Sequence, residues 1–174
     1  MHEEDLLEQM ARGDPDAAEE LIGRYYPEIL RYCLWHTPDA SLAEDAAQEI
    51  FLKVIRYAAR YRNQGTFKAF LYQIAKNTCI DLSRKRWQSD LPLEQAEVWL
   101  CGEGGVDAVE SDLTLRQMVQ TLPEGQREIV LLRFSQDLTI REIAQVLDLP
   151  LRTVQSRLRS ALKKLKTEWK GESR

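Results

Sequence analysis

At 174 residues and 44% hydrophobic, the chain has room for one medium domain or two small ones; it has no run of about 18 apolar residues, and its acidic N-terminus lacks the basic and apolar regions of a signal peptide, so a cytoplasmic protein without direct membrane insertion is expected. The formal net charge of −4 hides a segregation: 13 acids against 3 bases over Met1–Ile50, 8 bases against 1 acid over Arg56–Trp87, 9 acids against 2 bases over Gln88–Glu128, and 8 bases against 2 acids from Leu151 onward. A uniformly solvated surface interleaves its signs, whereas two basic blocks set apart by acidic ones point to two separate nucleic-acid contacts.

Taken in order, Asp14 can cap a helix that starts at Pro15 and carries Leu21, Ile22, Tyr25 and Ile29 on its inner face, with Pro27 expected to kink or interrupt it. Ser41 and Glu44 have the spacing of a capping box. The helix they would start, LAEDAAQEIFLKVIRYAARY, gathers Ala47, Ile50, Phe51, Val54 and Ala58 on one side and Asp45, Gln48, Glu49, Leu52 and Arg56 almost opposite. Such a stripe is usually a solvated surface, but a leucine among carboxylates and an amide also suits a partner.

RYRNQGT has loop chemistry and ends in Thr66, which can cap the next helix. In FKAFLYQIAKNTCIDLSRKRW, helical spacing puts Phe67, Leu71, Ile74, Thr78 and Leu82 inside and turns Tyr72, Lys76, Ser83 and Trp87 outward, with Arg84, Lys85 and Arg86 at the end. Rings beside cations suit single-stranded DNA, because ring faces stack on bases while cations track phosphates. A basic helix end complementing the macrodipole is the alternative for the last three. Gln88 to Val109 has linker composition, with Pro92, a glycine cluster and no long periodic segment. Helical pattern resumes with Ser111 or Asp112 as cap, and Pro123 opens REIVLLRF.

Leu138 to Lys166 reads as two helices and a tight turn. Thr139 and Glu142 form a capping box; Ile140, Ile143, Ala144 and Leu147 share a face; and Pro150 starts a new helix more readily than it continues an old one. On that second helix Val154, Leu158, Ala161, Leu162 and Leu165 make a packing face, and Arg152, Ser156, Arg159 and Lys163 lie opposite, flanked by Gln155 and Ser160. A helical hairpin with a solvated face fits this pattern, as does a helix-turn-helix whose second helix enters the major groove. No strand alternation is long enough for a sheet. Cys33, Cys79 and Cys101 are odd in number and widely spaced, and His36 near Cys33 has no second pair to complete a metal site. Neither His2 nor His36 belongs to a visible triad, so no catalytic residue, cofactor or metal is expected and the chain is read as no enzyme.

The order of these elements resembles a bacterial RNA polymerase sigma factor of the extracytoplasmic-function group. AEDAAQEIFLKV is similar to region 2.2, TFKAFLYQIAKNTCIDLSRKRW to regions 2.3 and 2.4, LPEGQREIVLLRF to region 4.1, and Leu138 to Lys166 to region 4.2. The resemblance implies an all-α chain of two small helical domains, 1–87 and 111–174, joined by an acidic flexible linker, 88–110. It implies core-polymerase binding by Asp45, Gln48, Glu49, Leu52 and Arg56. It assigns −10 DNA binding to Arg62, Asn63, Gln64, Gly65, Thr66, Lys68, Tyr72, Lys76, Asn77, Arg84, Lys85 and Arg86, an unpaired base being flipped into the loop 63–66. It assigns −35 DNA binding to Arg152, Thr153, Gln155, Ser156, Arg157, Arg159, Ser160 and Lys163, with Arg157 projecting sideways toward the DNA backbone. The implied partners are core RNA polymerase, through its β′ clamp helices and β flap, promoter DNA, and an anti-sigma factor of the kind often held in the membrane. Asp148, Pro150 and Arg152 depart from the family's usual residues in the turn and the start of the recognition helix. A repressor or activator with a C-terminal helix-turn-helix is the competing reading, but it leaves the acidic stripe and the first basic block unexplained.

Overall fold

The computed structural model describes residues 2–61, 65–88 and 114–172, and among these every regular element is helical. The chain divides into two units, Met1–Trp99 and Leu100–Arg174.

The first unit opens with a helix absent from the sequence reading, α1 (Glu3–Ala11). It buries Leu6, Leu7 and Met10, and its first turn carries Glu3, Glu4 and Asp5, where the helix dipole favours negative charge. Gly13, at φ +92°, lets the chain reverse, with the amides of Gly13 and Asp14 donating back to the carbonyls of Met10 and Gln9 in a Schellman closure. Asp14 then caps α2 (Pro15–His36) by accepting from the amides of Asp16 and Ala17. Pro27 does not interrupt α2. A proline removes one helical hydrogen bond, and here Leu21 and Ile29 on either side are fully buried and hold the helix through it.

The expected capping box at Ser41 is replaced by Asp39, whose carboxylate accepts from the amide of Leu42 at 2.8 Å and starts α3 (Ala40–Ala58) earlier. A charged acceptor at the N-cap is stabilised by the helix dipole, so it wins over the hydroxyl further on. Thr66 caps α4 (Phe67–Gln88), as expected, through the amide of Ala69.

Helices α2, α3 and α4 pack on one another around Ile29, Tyr32, Ala47, Ile50, Val54, Leu71 and Ala75, all essentially inaccessible. Tyr72 corrects the sequence reading, because it is 0% exposed and meets Tyr32 edge to face with ring centroids 5.5 Å apart. Contact of α4 with both α2 and α3 widens its buried arc beyond the single stripe that periodicity assumes. Burial pushes the Tyr72 phenol well above its usual range. Cys33 and Cys79 hydrogen-bond to each other in the same core, and that bond together with burial raises the Cys33 thiol strongly.

The second unit comprises residues 114–119 (α5), α6 (Glu124–Val130), a π-helical turn (Leu131–Ser135), α7 (Ile140–Leu147) and α8 (Leu151–Glu172). Arg127 closes the end of α5 by donating to the carbonyls of Val119, Gln120 and Leu122, groups that a helix end leaves without partners. Val119, Ile129, Leu132, Leu138, Ile143, Val146, Val154 and Ala161 form its core. Leu162, expected on the packing face, is 42% exposed, while Val154, Ala161 and Leu165 are buried. It lies at the edge of that arc, outside the narrower sector that Val154, Ala161 and Leu165 share at 100° per residue.

Candidate nucleic-acid interface

The helix-turn-helix is fixed by local chemistry. The Thr139 hydroxyl accepts from the Glu142 amide at 3.2 Å, and the Glu142 carboxylate accepts from the Thr139 amide at 2.7 Å, the reciprocal box expected from the sequence. At the other end Asp148 takes the left-handed conformation, φ 52° and ψ 49°, which aspartate tolerates better than most side chains. The amide of Leu149 donates to the carbonyl of Ala144, and the Pro150 carbonyl accepts from the amides of Thr153 and Val154, so α8 departs immediately after the turn.

On α8, Arg152, Gln155, Ser156, Arg157, Arg159, Ser160 and Lys163 are all exposed and Thr153 is half-buried. A Cβ added to Gly125 would lie 3.4 Å from Nη1 of Arg157, so that guanidinium rests against the first turn of α6, to the side of the outward row. These groups supply the donors and acceptors that read base edges and the cations that hold phosphates.

In the first unit the stripe on α3 faces outward. Asp45, Gln48 and Arg56 are exposed, Leu52 is 63% exposed, and Glu49 is half-buried and paired with Lys53 at 3.3 Å. On the DNA side, Asn77, Arg84 and Lys85 are exposed, Lys76 is half-buried, and Lys68 is half-buried and paired with Glu28 at 3.6 Å. Tyr72, buried in the core, offers no ring face for a base. Gly65 has φ +115°, its carbonyl accepts from the hydroxyl of Tyr61 at 3.0 Å, and both Gly65 and Thr66 are exposed. Arg62, Asn63, Gln64, the Arg86 and Trp87 side chains, the linker from Ser89 to Val109 and the proposed caps Ser111 and Asp112 lie outside the described residues. Sequence reasoning did not single out Tyr61 or Lys53. The i to i+4 spacing of Glu49 and Lys53 was a visible signal for the second. Among the described residues no cluster suits a metal ion, and no helix is long and apolar enough to cross a membrane.

Two family models match the chain in the same order as its units: Sigma-70 region 2 over residues 21–89 and Sigma-70 region 4 over residues 112–165. The RNA polymerase sigma-H factor of Pseudomonas aeruginosa is 32% identical over 170 residues, covering 90% of this chain and 88% of that protein. The ECF RNA polymerase sigma factor SigW of Bacillus subtilis is 29% identical over 176 residues, covering 91% and 93%. The chain belongs to the extracytoplasmic-function sigma factors. A co-crystal structure of the sigma factor RpoE with the anti-sigma factor NepR from Bartonella quintana shares the fold, with a TM-score of 0.69 at 18% identity over 87% of this chain and 96% of that one. As a sigma factor, the protein directs promoter-specific transcription, and region 2 falls on α2, α3 and α4 while region 4 contains α6, α7 and most of α8. The two-region match removes the ground for a repressor or activator that acts without sigma activity. Sigma factors are non-catalytic initiation factors.

Proposed function

We propose that this cytoplasmic sigma factor works by binding and remodelling alone, with region 2 in residues 1–87, an acidic linker in 88–110 and region 4 in 111–174. Asp45, Gln48, Glu49, Leu52 and Arg56 dock on the β′ clamp helices of core polymerase. Gln155, Ser156, Arg159 and Ser160 read −35 base edges, while Arg152, Arg157 and Lys163 hold phosphates, and region 4 also meets the β flap. Asn63, Gln64, Gly65 and Thr66 receive a flipped −10 base, with Lys76, Asn77, Arg84 and Lys85 along the unpaired strand. Unstacking a base costs a few kcal/mol, which the captured base and the cationic contacts offset. An anti-sigma factor holds the protein inactive, a reading supported by the anti-sigma factor bound to the sigma factor from Bartonella quintana.

The observation that carries this proposal is the exposed Leu52, 63% accessible in the middle of an acid and amide stripe whose opposite face is fully packed. An apolar side chain of that size set among carboxylates and an amide suits a partner that covers the leucine while its cations meet the acids. Replacing Asp45 and Gln48 together with Ala should weaken core binding about tenfold or more while leaving binding to a −35 duplex unchanged, as measured by fluorescence anisotropy for each ligand. Equal loss of both affinities would point to misfolding and remove the stripe from the docking surface.

A further inference from the structure

Tyr61 joins the end of α3 to the start of α4. Its amide still donates to the carbonyls of Tyr57 and Ala58 at 3.0 and 3.1 Å, and its ring packs on the first turn of α4, with centroids 4.8 Å from Phe70 and 6.3 Å from Phe67. Backbone and ring are thus both held, and the hydroxyl donates to the carbonyl of Gly65 at 3.0 Å. Gly65 has φ +115°, a conformation that glycine adopts without steric cost, and glycine also has the most backbone freedom to lose. Thr66, next in the chain, is held from the other side: its hydroxyl accepts from the amide of Ala69 and its carbonyl from the amide of Phe70, both at 3.2 Å. Gly65 and Thr66 are both exposed.

We infer that Tyr61 is a positioning residue for capture of the flipped −10 base, acting through its hydroxyl on Gly65. The inference rests on reading Gly65 and Thr66 as part of the surface that receives the base. A peptide group is planar and trans, so fixing the Gly65 carbonyl fixes the whole unit from Gly65 to Thr66. Without the hydroxyl that unit is anchored at the Thr66 end only, and the rotation left at Gly65 must be given up when the base arrives. Ordering it beforehand lowers the cost of capture, so the base gains affinity from a bond it never touches. Ring packing and hydrogen bonding are separable here, because phenylalanine at this position keeps the ring on Phe67 and Phe70 and removes only the oxygen.

The test uses the full chain reconstituted with core polymerase. The probe is a single-stranded oligonucleotide carrying the non-template −10 sequence of a promoter that this holoenzyme selects from random DNA, with a matching set in which each −10 nucleotide in turn is abasic. For the unaltered protein, the abasic position that costs most affinity marks the captured base. Tyr61→Phe should weaken binding of the intact oligonucleotide by roughly fivefold, the order of one hydrogen bond, and leave binding of the oligonucleotide abasic at that position within about twofold. Gly65→Ala, which forces a side chain onto a backbone that disfavours one, should give at least the same base-dependent loss, and adding Tyr61→Phe to it should cost little more. Affinities for core polymerase and for a −35 duplex should stay within about twofold in Tyr61→Phe. Equal losses on intact and abasic oligonucleotides, no loss on either, or additive losses in the double variant would each overturn the role of the hydroxyl. Failure of the base-capture reading is a separate outcome, in which the unaltered protein binds every abasic oligonucleotide as well as the intact one.

Discussion

Arg159→Ala isolates the reading function of α8. Arg159 is exposed and has no hydrogen bond or ion pair among the described residues, so its truncation should change stability by no more than about 0.5 kcal/mol. Its position, three residues after Ser156 and seven after Arg152, keeps it on the outward row, where an arginine can make two hydrogen bonds to a guanine edge. Losing such a contact costs roughly 1–3 kcal/mol, or about five- to 150-fold in affinity. The assay is anisotropy of holoenzyme on labelled −35 duplexes, with a panel of single-base substitutions and a series of salt concentrations. The variant should lose affinity for the preferred site, discriminate less at one or two −35 positions, and keep the wild-type salt dependence. A uniform loss over every duplex, with the slope of log K against log salt reduced by about 1, would make Arg159 a phosphate contact and refute the assignment.

Thr139→Ala removes the hydroxyl half of the capping box and should destabilise the region 4 unit by about 1 kcal/mol, lowering its melting temperature by roughly 4–8 °C in calorimetry of the full chain, with −35 affinity unchanged at a temperature where the unit is folded. The Tyr72 phenol has a raised pKa in the folded state, so the unfolded chain loses that proton first. Its contribution to stability is therefore complete below the unfolded value near 10 and declines above it, by about 1.4 kcal/mol per pH unit. All six tyrosines lie at or before residue 72, so alkaline pH should lower the melting of region 2 through this route while Tyr72→Phe shows a shallower decline; parallel curves for the two would mean Tyr72 does not titrate as described.

What could be read from the sequence was what depends on close neighbours in the chain. Asp14, Thr66 and the Thr139–Glu142 pair cap their helices because donor and acceptor lie within three residues, and no distant contact competes. Ser41 failed because Asp39 offered a stronger acceptor two residues earlier, a contest that spacing alone does not decide. Tyr72 failed for a different reason: helical periodicity assigns one inner face, and α4 has neighbours on two sides. The recognition row of α8 was legible because that helix packs along a single face, and its one error, Leu162, sits at the margin of the buried arc. The bond from Lys53 to Thr78 joins positions 25 apart and left no local trace.

Run-off transcription from a linear promoter template, with core polymerase alone and with this chain added, tests the central claim most directly. The expected result is a transcript of defined length that requires the chain and the −35 and −10 elements, and that falls sharply when Asp45 and Gln48 are both Ala. A template bound at its −35 site with no promoter-dependent transcript at any ratio of chain to core would contradict it.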